Sequence, residues 1–300
     1  EESVVLSVIP CFHVYGLSVC LTISLWRGSE VVLVPKFHAK EAFELIEKEK
    51  ITIFPALPRI FSAMVDHPDF KSAKLSSLKL CVSGSGALDG GVKKQFEEAV
   101  GCEIIEGYGL SETSPLVSIN PPGNARPGSL GKLVKDTEMR IVDGELWLRG
   151  PQVMSGYWEN KEETDLVLTS DGWLKTGDMV EERDGYLWLT DRKKDMIKIK
   201  GENVYPSEIE QILKDKLNLV EVYVVGVPDR KQGERVVAFL VILAGGPSYS
   251  LVDVQRACSG LSSVKIPSSV LCLHEGQVPR TYLGKVQKKD LRAMLNKGST

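Results

Sequence analysis

Short apolar runs that close on Pro, Ser or Gly alternate with stretches of helical spacing through the first part of the chain. Val4–Pro10 and Val31–Pro35 read as buried strands, and Thr52–Pro55, Leu78–Ser83 and Glu103–Glu106 continue the series. Between them, Lys40–Lys50 carries Phe43, Leu45 and Ile46 at helical spacing among charges. Arg59–Val65 and Val92–Val100 are the next helices. Strands alternating with helices predict an α/β fold around a mostly parallel sheet. Such sheets bind ligands beyond the carboxyl ends of their strands. The Gly-rich turn Gly84–Gly91 and the segment Gly107–Thr113 both follow strands, so both lie where a ligand would bind.

From about Arg126 the pattern changes. Met139–Val142, Glu145–Arg149, Gly172–Thr176 and Tyr186–Thr190 are short strands separated by Gly and Asp turns, which predicts a small antiparallel or barrel-like subdomain over about 126–190. The charged run from Asp191 marks a boundary. Beyond it, Pro206–Lys216 reads as a helix with Ser207 as its candidate cap. Val220–Val227, Arg235–Leu243 and Val270–Leu273 read as strands, and Leu251–Leu261 and Lys288–Asn296 as helices.

Composition narrows the function classes. A net charge of −3 gives no electrostatic case for nucleic acid. No apolar run approaches the ~18–20 residues that span a bilayer. Glu1–Glu2 lead no basic, signal-like segment, and Gly298–Thr300 is not a Ser-Lys-Leu type address. Cys11, Cys20, Cys81, Cys102, Cys258 and Cys272 form no CxxC pair and read as reduced thiols. An intracellular, cytoplasmic protein is the expectation.

Three polar motifs carry candidate chemistry. In Gly107–Thr113 (GYGLSET), Gly109 lets backbone approach a ligand, and Tyr108 offers a flat face to a base. There Ser111 can donate to a phosphate oxygen, and Glu112 is a hard oxygen ligand suited to Mg²⁺. The same residues also suit a plain strand-to-helix turn capped by Ser111. Asp178, in TGD, can accept two hydroxyls of a ribose, and Arg192 can add a donor; the two also suit a surface ion pair. Lys285, behind Gly284, can bring a point charge to a phosphate-bearing transition state, or can be one more solvated Lys. His13, in PCFHVYG, can face a substrate channel or be structural.

Taken in order, these segments resemble the adenylate-forming acyl-CoA synthetase superfamily, and the resemblance runs over essentially the whole chain. PCFHVYG is similar to the family's gate to the acyl tunnel. SGSGALD (Ser83–Asp89) is similar to its loop between adenine and acyl tail. GELWLRGPQVMSGYW (Gly144–Trp158) and WLKTGD (Trp173–Asp178) are similar to its next two motifs. DRKKDMIKIKGENVYPSEIE (Asp191–Glu210) is similar to its hinge and the start of its small domain, and PRTYLGKVQKK (Pro279–Lys289) to the segment with its catalytic Lys.

The resemblance implies a partial AMP-binding domain over 1–190, a hinge at 191–194 and a mobile C-terminal domain over 195–300. It implies ATP or AMP, Mg²⁺ and coenzyme A as ligands, with a carboxylic acid as substrate. Gly86, Tyr108 and Gly109 would line the adenine, Ser111 would hold the α-phosphate, and Glu112 the Mg²⁺. Asp178 and Arg192 would bind ribose. Lys194 would mark the hinge, and Lys285 would stabilise charge during adenylation. Lys198, Lys200, Gly201 and Asn203 would face nucleotide and thiol in the second half-reaction.

The implied reaction activates the acid as acyl-AMP and then transfers it to coenzyme A, with a medium- or long-chain fatty acid as the favoured substrate. The family's Ser/Thr/Gly-rich phosphate loop matches nothing here, so it is expected upstream, with the chain as the C-terminal portion of such an enzyme. The alternatives are adenylation for a carrier protein, a luciferase-like enzyme and a non-catalytic AMP-binding protein.

Overall fold

The computed structural model describes residues 3–243, 245–281 and 284–297. The readings made on Glu1–Glu2 and Gly298–Thr300, and the Tyr282 and Leu283 part of the last motif, lie outside them. The chain folds as two compact units, 1–176 with 180–189, and 177–179 with 190–300.

The first unit opens as the alternation demands. Its strands β1 (Val4–Ser7), β2 (Glu30–Leu33), β3 (Ile53–Ala56), β4 (Leu80–Ser83) and β5 (Ile104–Gly109) stand in the order β2-β1-β3-β4-β5 and pair in parallel. Between them run α1 (Ile23–Trp26), α2 (Ala39–Lys48), α3 (Pro58–Val65) and α4 (Gly90–Val100). Helix α2 buries Ala42, Phe43 and Ile46 on one face, as its spacing requires. Phe54, Phe61, Phe70 and Phe96 meet as a chain of ring contacts with centroids 5.1–5.8 Å apart, at the distances aromatic pairs favour.

Two further strands extend this sheet: β6 (Leu116–Ile119) pairs antiparallel with β5, and β7 (Lys132–Leu133) pairs antiparallel with β6. A four-stranded sheet follows, built from β8 (Glu138–Val142), β9 (Glu145–Arg149), β10 (Leu174–Arg183) and β11 (Tyr186–Arg192). Helix α5 (Lys161–Val167) lies between β9 and β10. Val117, Leu146, Leu148, Val180 and Leu187 form the core beneath these strands.

The second unit is a five-stranded sheet with helices on both faces. The hairpin β12 (Ile197–Ile199) and β13 (Glu202–Val204) leads into α6 (Pro206–Leu217). Strands β14 (Glu221–Asp229) and β15 (Gly233–Val241) pair antiparallel, and β16 (Ser269–Leu273) joins β15 in parallel. Ile209 and Leu213 of α6 and Val254 of α7 (Leu251–Ala257) pack on one face of the sheet. Leu291 of α8 (Lys288–Lys297) packs on the other with Val225, Val237 and Phe239.

Ser207 is not the cap of α6. Its hydroxyl donates to the Thr190 carbonyl at 2.6 Å, and its N–H donates to the buried Asp191 carboxylate at 3.0 Å. The acceptor at the positive end of this helix therefore comes from the end of β11. All six cysteines are free thiols; Cys81 and Cys102, on and beside neighbouring parallel strands, approach to 3.8 Å between sulfurs.

Candidate functional site

Parallel pairing sets the carboxyl ends of β1, β3, β4 and β5 along one edge of the first unit's sheet. His13 follows β1, and its Nδ1 accepts the Tyr15 N–H at 3.2 Å, which places the proton of a neutral ring on Nε2. Tyr15 is buried and donates its hydroxyl to the Val82 carbonyl of β4 at 2.9 Å, so the His13 loop is tied to the next loop in the site. Burial pushes the Tyr15 phenol well above its ordinary value, which keeps it a donor. Gly86 is exposed in the loop after β4. Asp89 ends that loop by accepting the Gly91 and Val92 N–H groups at the start of α4. Leu88 N–H donates to Glu106 of β5 at 3.4 Å, which links the Gly86 loop to the GYGLSET segment.

Strand β5 does not stop before Gly107, as its apolar run suggested. It continues through Gly107 and Tyr108 because β6 returns beside it, pairing Gly107 with Ile119 and Tyr108 with Ser118. At Gly109 the Pro115 carbonyl closes over the strand: a Cβ there would sit 1.6 Å from its oxygen. Buried Thr113 staples the turn, accepting the Leu110 N–H at 3.0 Å and donating to the Pro115 carbonyl at 2.9 Å. Ser111 opens a single 3₁₀ turn, Ser111–Thr113, rather than capping an α-helix, and is exposed. Tyr108 is half-buried against the Val117–Leu146 core, with its face fixed by packing.

Glu112 is gripped at two points. Met154 N–H donates to its carbonyl at 2.9 Å, and the Tyr157 hydroxyl donates to its Oε1 at 2.8 Å. Lost hydration first, then the Glu112 carboxylate, pushes the Tyr157 phenol up to about 12. Among the described residues no group of three His, Cys, Asp or Glu could hold a metal ion alone. A single half-exposed carboxylate beside an exposed hydroxyl fits a small cation that shares its ligands with phosphate oxygens.

The remaining candidates belong to the second unit. Asp178 is 3% exposed, and Arg192 Nε lies 3.3 Å from its Oδ1. This is a partly desolvated pair, unlike the surface contact that spacing alone allows. Lys193 N–H donates to the Gly177 carbonyl at 2.8 Å, and a turn at Arg192–Met196 carries the exposed Lys194. Lys198, Lys200, Gly201 and Asn203 come together on the β12–β13 hairpin, where Lys198 pairs with Asn203. Its two-residue tip has φ of 52° at Lys200 and 87° at Gly201, the left-handed pair that a type I′ turn needs.

Lys285 sits on a tight loop whose Arg280 and Val286 form an antiparallel bridge. Thr281 closes the loop, its N–H donating to the Lys285 carbonyl at 2.8 Å and its Oγ1 accepting the Lys285 N–H at 3.1 Å. Although Lys285 is exposed as a residue, its amine is held below the ordinary lysine value. Lost hydration is the main cause, with Arg192 and Lys194 adding repulsion and Asp178 and Asp195 opposing it. Two ammoniums, one guanidinium and two carboxylates thus act on each other within this unit.

Three residues that the motifs did not single out support these groups. Arg280 donates to the Gly284 carbonyl at 3.3 Å and is itself held by Glu221 at 2.5 Å and Glu275 at 3.1 Å, which fixes the base of the Lys285 loop. Asp191 accepts the Arg192 N–H at 2.7 Å as well as that of Ser207. Tyr157 holds Glu112. All three stand inside the motifs, Tyr157 in Gly144–Trp158, Asp191 at the head of Asp191–Glu210 and Arg280 in Pro279–Lys289, but none is given a role there.

The chain matches the model of the AMP-binding enzyme family over residues 1–158 and that of the AMP-binding enzyme C-terminal domain over 208–285. It is 40% identical over 301 residues to a long-chain-fatty-acid–CoA ligase of Bacillus subtilis, covering 96% of this chain and 53% of that protein. It is 37% identical to an indoleacetate–CoA ligase of Aromatoleum aromaticum, covering 97% of this chain and 59% of the relative. The chain therefore spans about half the length of the curated relatives it matches. Its fold is similar to that of ATP-bound MatB from Rhodopseudomonas palustris, with a TM-score of 0.89 at 28% identity, covering 100% of this chain and 61% of that one.

Proposed function

The chain belongs to the AMP-binding enzyme family, and we propose that it serves an acid–thiol ligase that activates a carboxylate with ATP and passes the acyl group to coenzyme A. In the first step a carboxylate oxygen attacks the α-phosphorus of ATP. The bond to pyrophosphate breaks, and acyl-AMP forms. In the second step the thiolate of coenzyme A attacks the acyl carbon, the bond to AMP breaks, and the thiol proton goes to solvent.

The observation that carries this reading is the Asp178–Arg192 pair with Lys285 in the same electrostatic neighbourhood. Asp178 is an acceptor for ribose hydroxyls, and Arg192, 3.3 Å away, orients it. Lys285 supplies positive charge where phosphate charge develops. Tyr108 offers its ring to the adenine and Ser111 its hydroxyl to the α-phosphate, with Gly86 and Gly109 giving close backbone approach. His13 lines the way in for the acid. Mg²⁺, held by Glu112, would neutralise phosphate charge. Lys194 marks the pivot, and the Lys198–Asn203 hairpin meets nucleotide and thiol in the second step. A fatty acid is the favoured acid, supported by the B. subtilis relative; the A. aromaticum relative makes arylacetates the competing class.

The test is carboxylate-dependent ATP–pyrophosphate exchange across acetate to palmitate, indoleacetate and coumarate. It is run with the 300-residue chain and with a form extended to the length of its relatives. A best rate with long aliphatic acids supports the full reading. A best rate with aromatic acids moves the substrate class, and nucleotide binding without exchange in either form rejects the ligase reading.

A further inference from the structure

We propose that Tyr157 is the positioning residue that makes Glu112 a one-oxygen ligand and thereby selects Mg²⁺ over larger cations; this rests on the reading of Glu112 as the metal carboxylate. A Glu on a single 3₁₀ turn would otherwise sample several rotamers and could offer either or both oxygens to a cation. Here the Tyr157 phenol occupies Oε1 at 2.8 Å, and the Met154 N–H fixes the main chain of the same residue at 2.9 Å.

The clasp is itself anchored. Tyr157 N–H donates to Thr164 Oγ1 at 2.9 Å, Thr164 Oγ1 donates to the Asn160 carbonyl at 2.7 Å, and Asn160 caps α5 through the Glu163 N–H. Met154–Tyr157 thus bridges α5 to Glu112, and the bridge ends on a rigid aromatic donor. With Oε1 engaged, Oε2 is the oxygen left to take a cation. A one-oxygen carboxylate suits Mg²⁺, which demands octahedral geometry and keeps its waters. Ca²⁺ accepts both oxygens of a carboxylate at longer distance and loses most from this arrangement.

The experiment measures ATP binding by calorimetry in saturating Mg²⁺ or Ca²⁺, with melting temperature as the control for folding. It compares the unsubstituted chain with Tyr157→Phe, Thr164→Val and Glu112→Gln. In Tyr157→Phe we expect Mg²⁺-dependent affinity to fall roughly tenfold, the scale of lost outer-sphere support. Ca²⁺-dependent affinity holds or rises, so the Mg²⁺-to-Ca²⁺ ratio collapses at an unchanged melting temperature. Thr164→Val, which loosens the clasp but keeps the phenol, gives a smaller change of the same sign and carries the test if Tyr157→Phe does not fold. An unchanged ratio in both variants, with Glu112→Gln still losing the metal dependence, overturns the role of Tyr157. Metal-independent binding in the unsubstituted chain, or no effect of Glu112→Gln, overturns the reading of Glu112 instead.

Discussion

Replacing Gly109 by Ala is the sharpest perturbation of the GYGLSET turn, because the added carbon meets backbone and not a movable side chain. It would stand 1.6 Å from the Pro115 oxygen, 2.7 Å from its carbonyl carbon and 3.1 Å from the Leu116 Cα. To reach an ordinary contact the carbonyl must retreat by roughly the length of a bond, on the scale at which fixed packing resists overfilling. That movement breaks both hydrogen bonds it accepts, from the Leu110 N–H at 3.0 Å and the Thr113 hydroxyl at 2.9 Å. Two lost bonds at about 1 kcal/mol each, with overpacking of about 1–3 kcal/mol, give a cost of about 3–5 kcal/mol. For a unit of this size each kcal/mol moves the midpoint by about 2–4 °C, so Gly109→Ala should melt about 6–20 °C lower. Gly107→Ala is the control: its Cβ meets the Leu116 Cδ1 at 3.2 Å, the movable end of a side chain, and the cost is at most about 1 kcal/mol. Calorimetric melting of both variants decides the matter. Equal midpoints, or a Gly109→Ala midpoint within about 2 °C of the unsubstituted chain, would refute the close approach of Pro115.

Further outcomes are expected in the second unit. Asp191→Ala removes the acceptor of the Arg192 and Ser207 N–H groups and should cost about 2–4 kcal/mol; amide exchange at the start of α6 should quicken, and unchanged protection there would sink the idea. The Lys285 amine is depressed, so the unfolded chain binds its proton more tightly; stability should rise with pH from the depressed value up to the ordinary one near ~10.4. Lys285→Met should therefore melt slightly higher at pH 7 and show a flatter pH profile, and parallel profiles for the two proteins would contradict this. Arg280→Lys loses the fork that joins the Gly284 carbonyl to Glu221 and Glu275; pyrophosphate exchange should slow on the order of ten- to a hundredfold at unchanged AMP affinity, read by kcat and by calorimetry.

The fold was legible wherever burial forced a period. The runs at Val4–Pro10 and Leu78–Ser83 became β1 and β4, and the Phe43–Ile46 spacing became the buried face of α2. What escaped lacked that signal. Helix α5 buries none of its residues, so it left no apolar stripe. The helical turn at Gly16–Thr22 depends on Gly16 lying against the Pro10 carbonyl, a contact that no pattern encodes. The β12–β13 hairpin hid inside a charged run, because only Ile197, Ile199 and Val204 face the core while Lys198, Lys200, Gly201, Glu202 and Asn203 between them are exposed.

The candidate site divided in the same way. The residues proposed to meet ligand lie in polar motifs, and Asp178 and Arg192 could be paired because one hairpin separates them. Their supports did not stand out. Tyr157 meets Glu112 across an intervening subdomain, and the Arg280 partner Glu221 lies at the start of β14. Such pairings follow from tertiary packing and leave no spacing to read.

The central claim is that Lys285 serves the formation of acyl-AMP and not its transfer to the thiol. The most direct measurement takes Lys285→Ala through the two half-reactions separately, pyrophosphate exchange with ATP and acid, and thioester formation from supplied acyl-AMP and coenzyme A. Exchange should fall by on the order of a hundredfold or more, the scale of losing a preorganised charge at the transition state, while thioester formation stays within a few-fold of the unsubstituted protein. Equal loss in both, or no loss in exchange, would contradict the account.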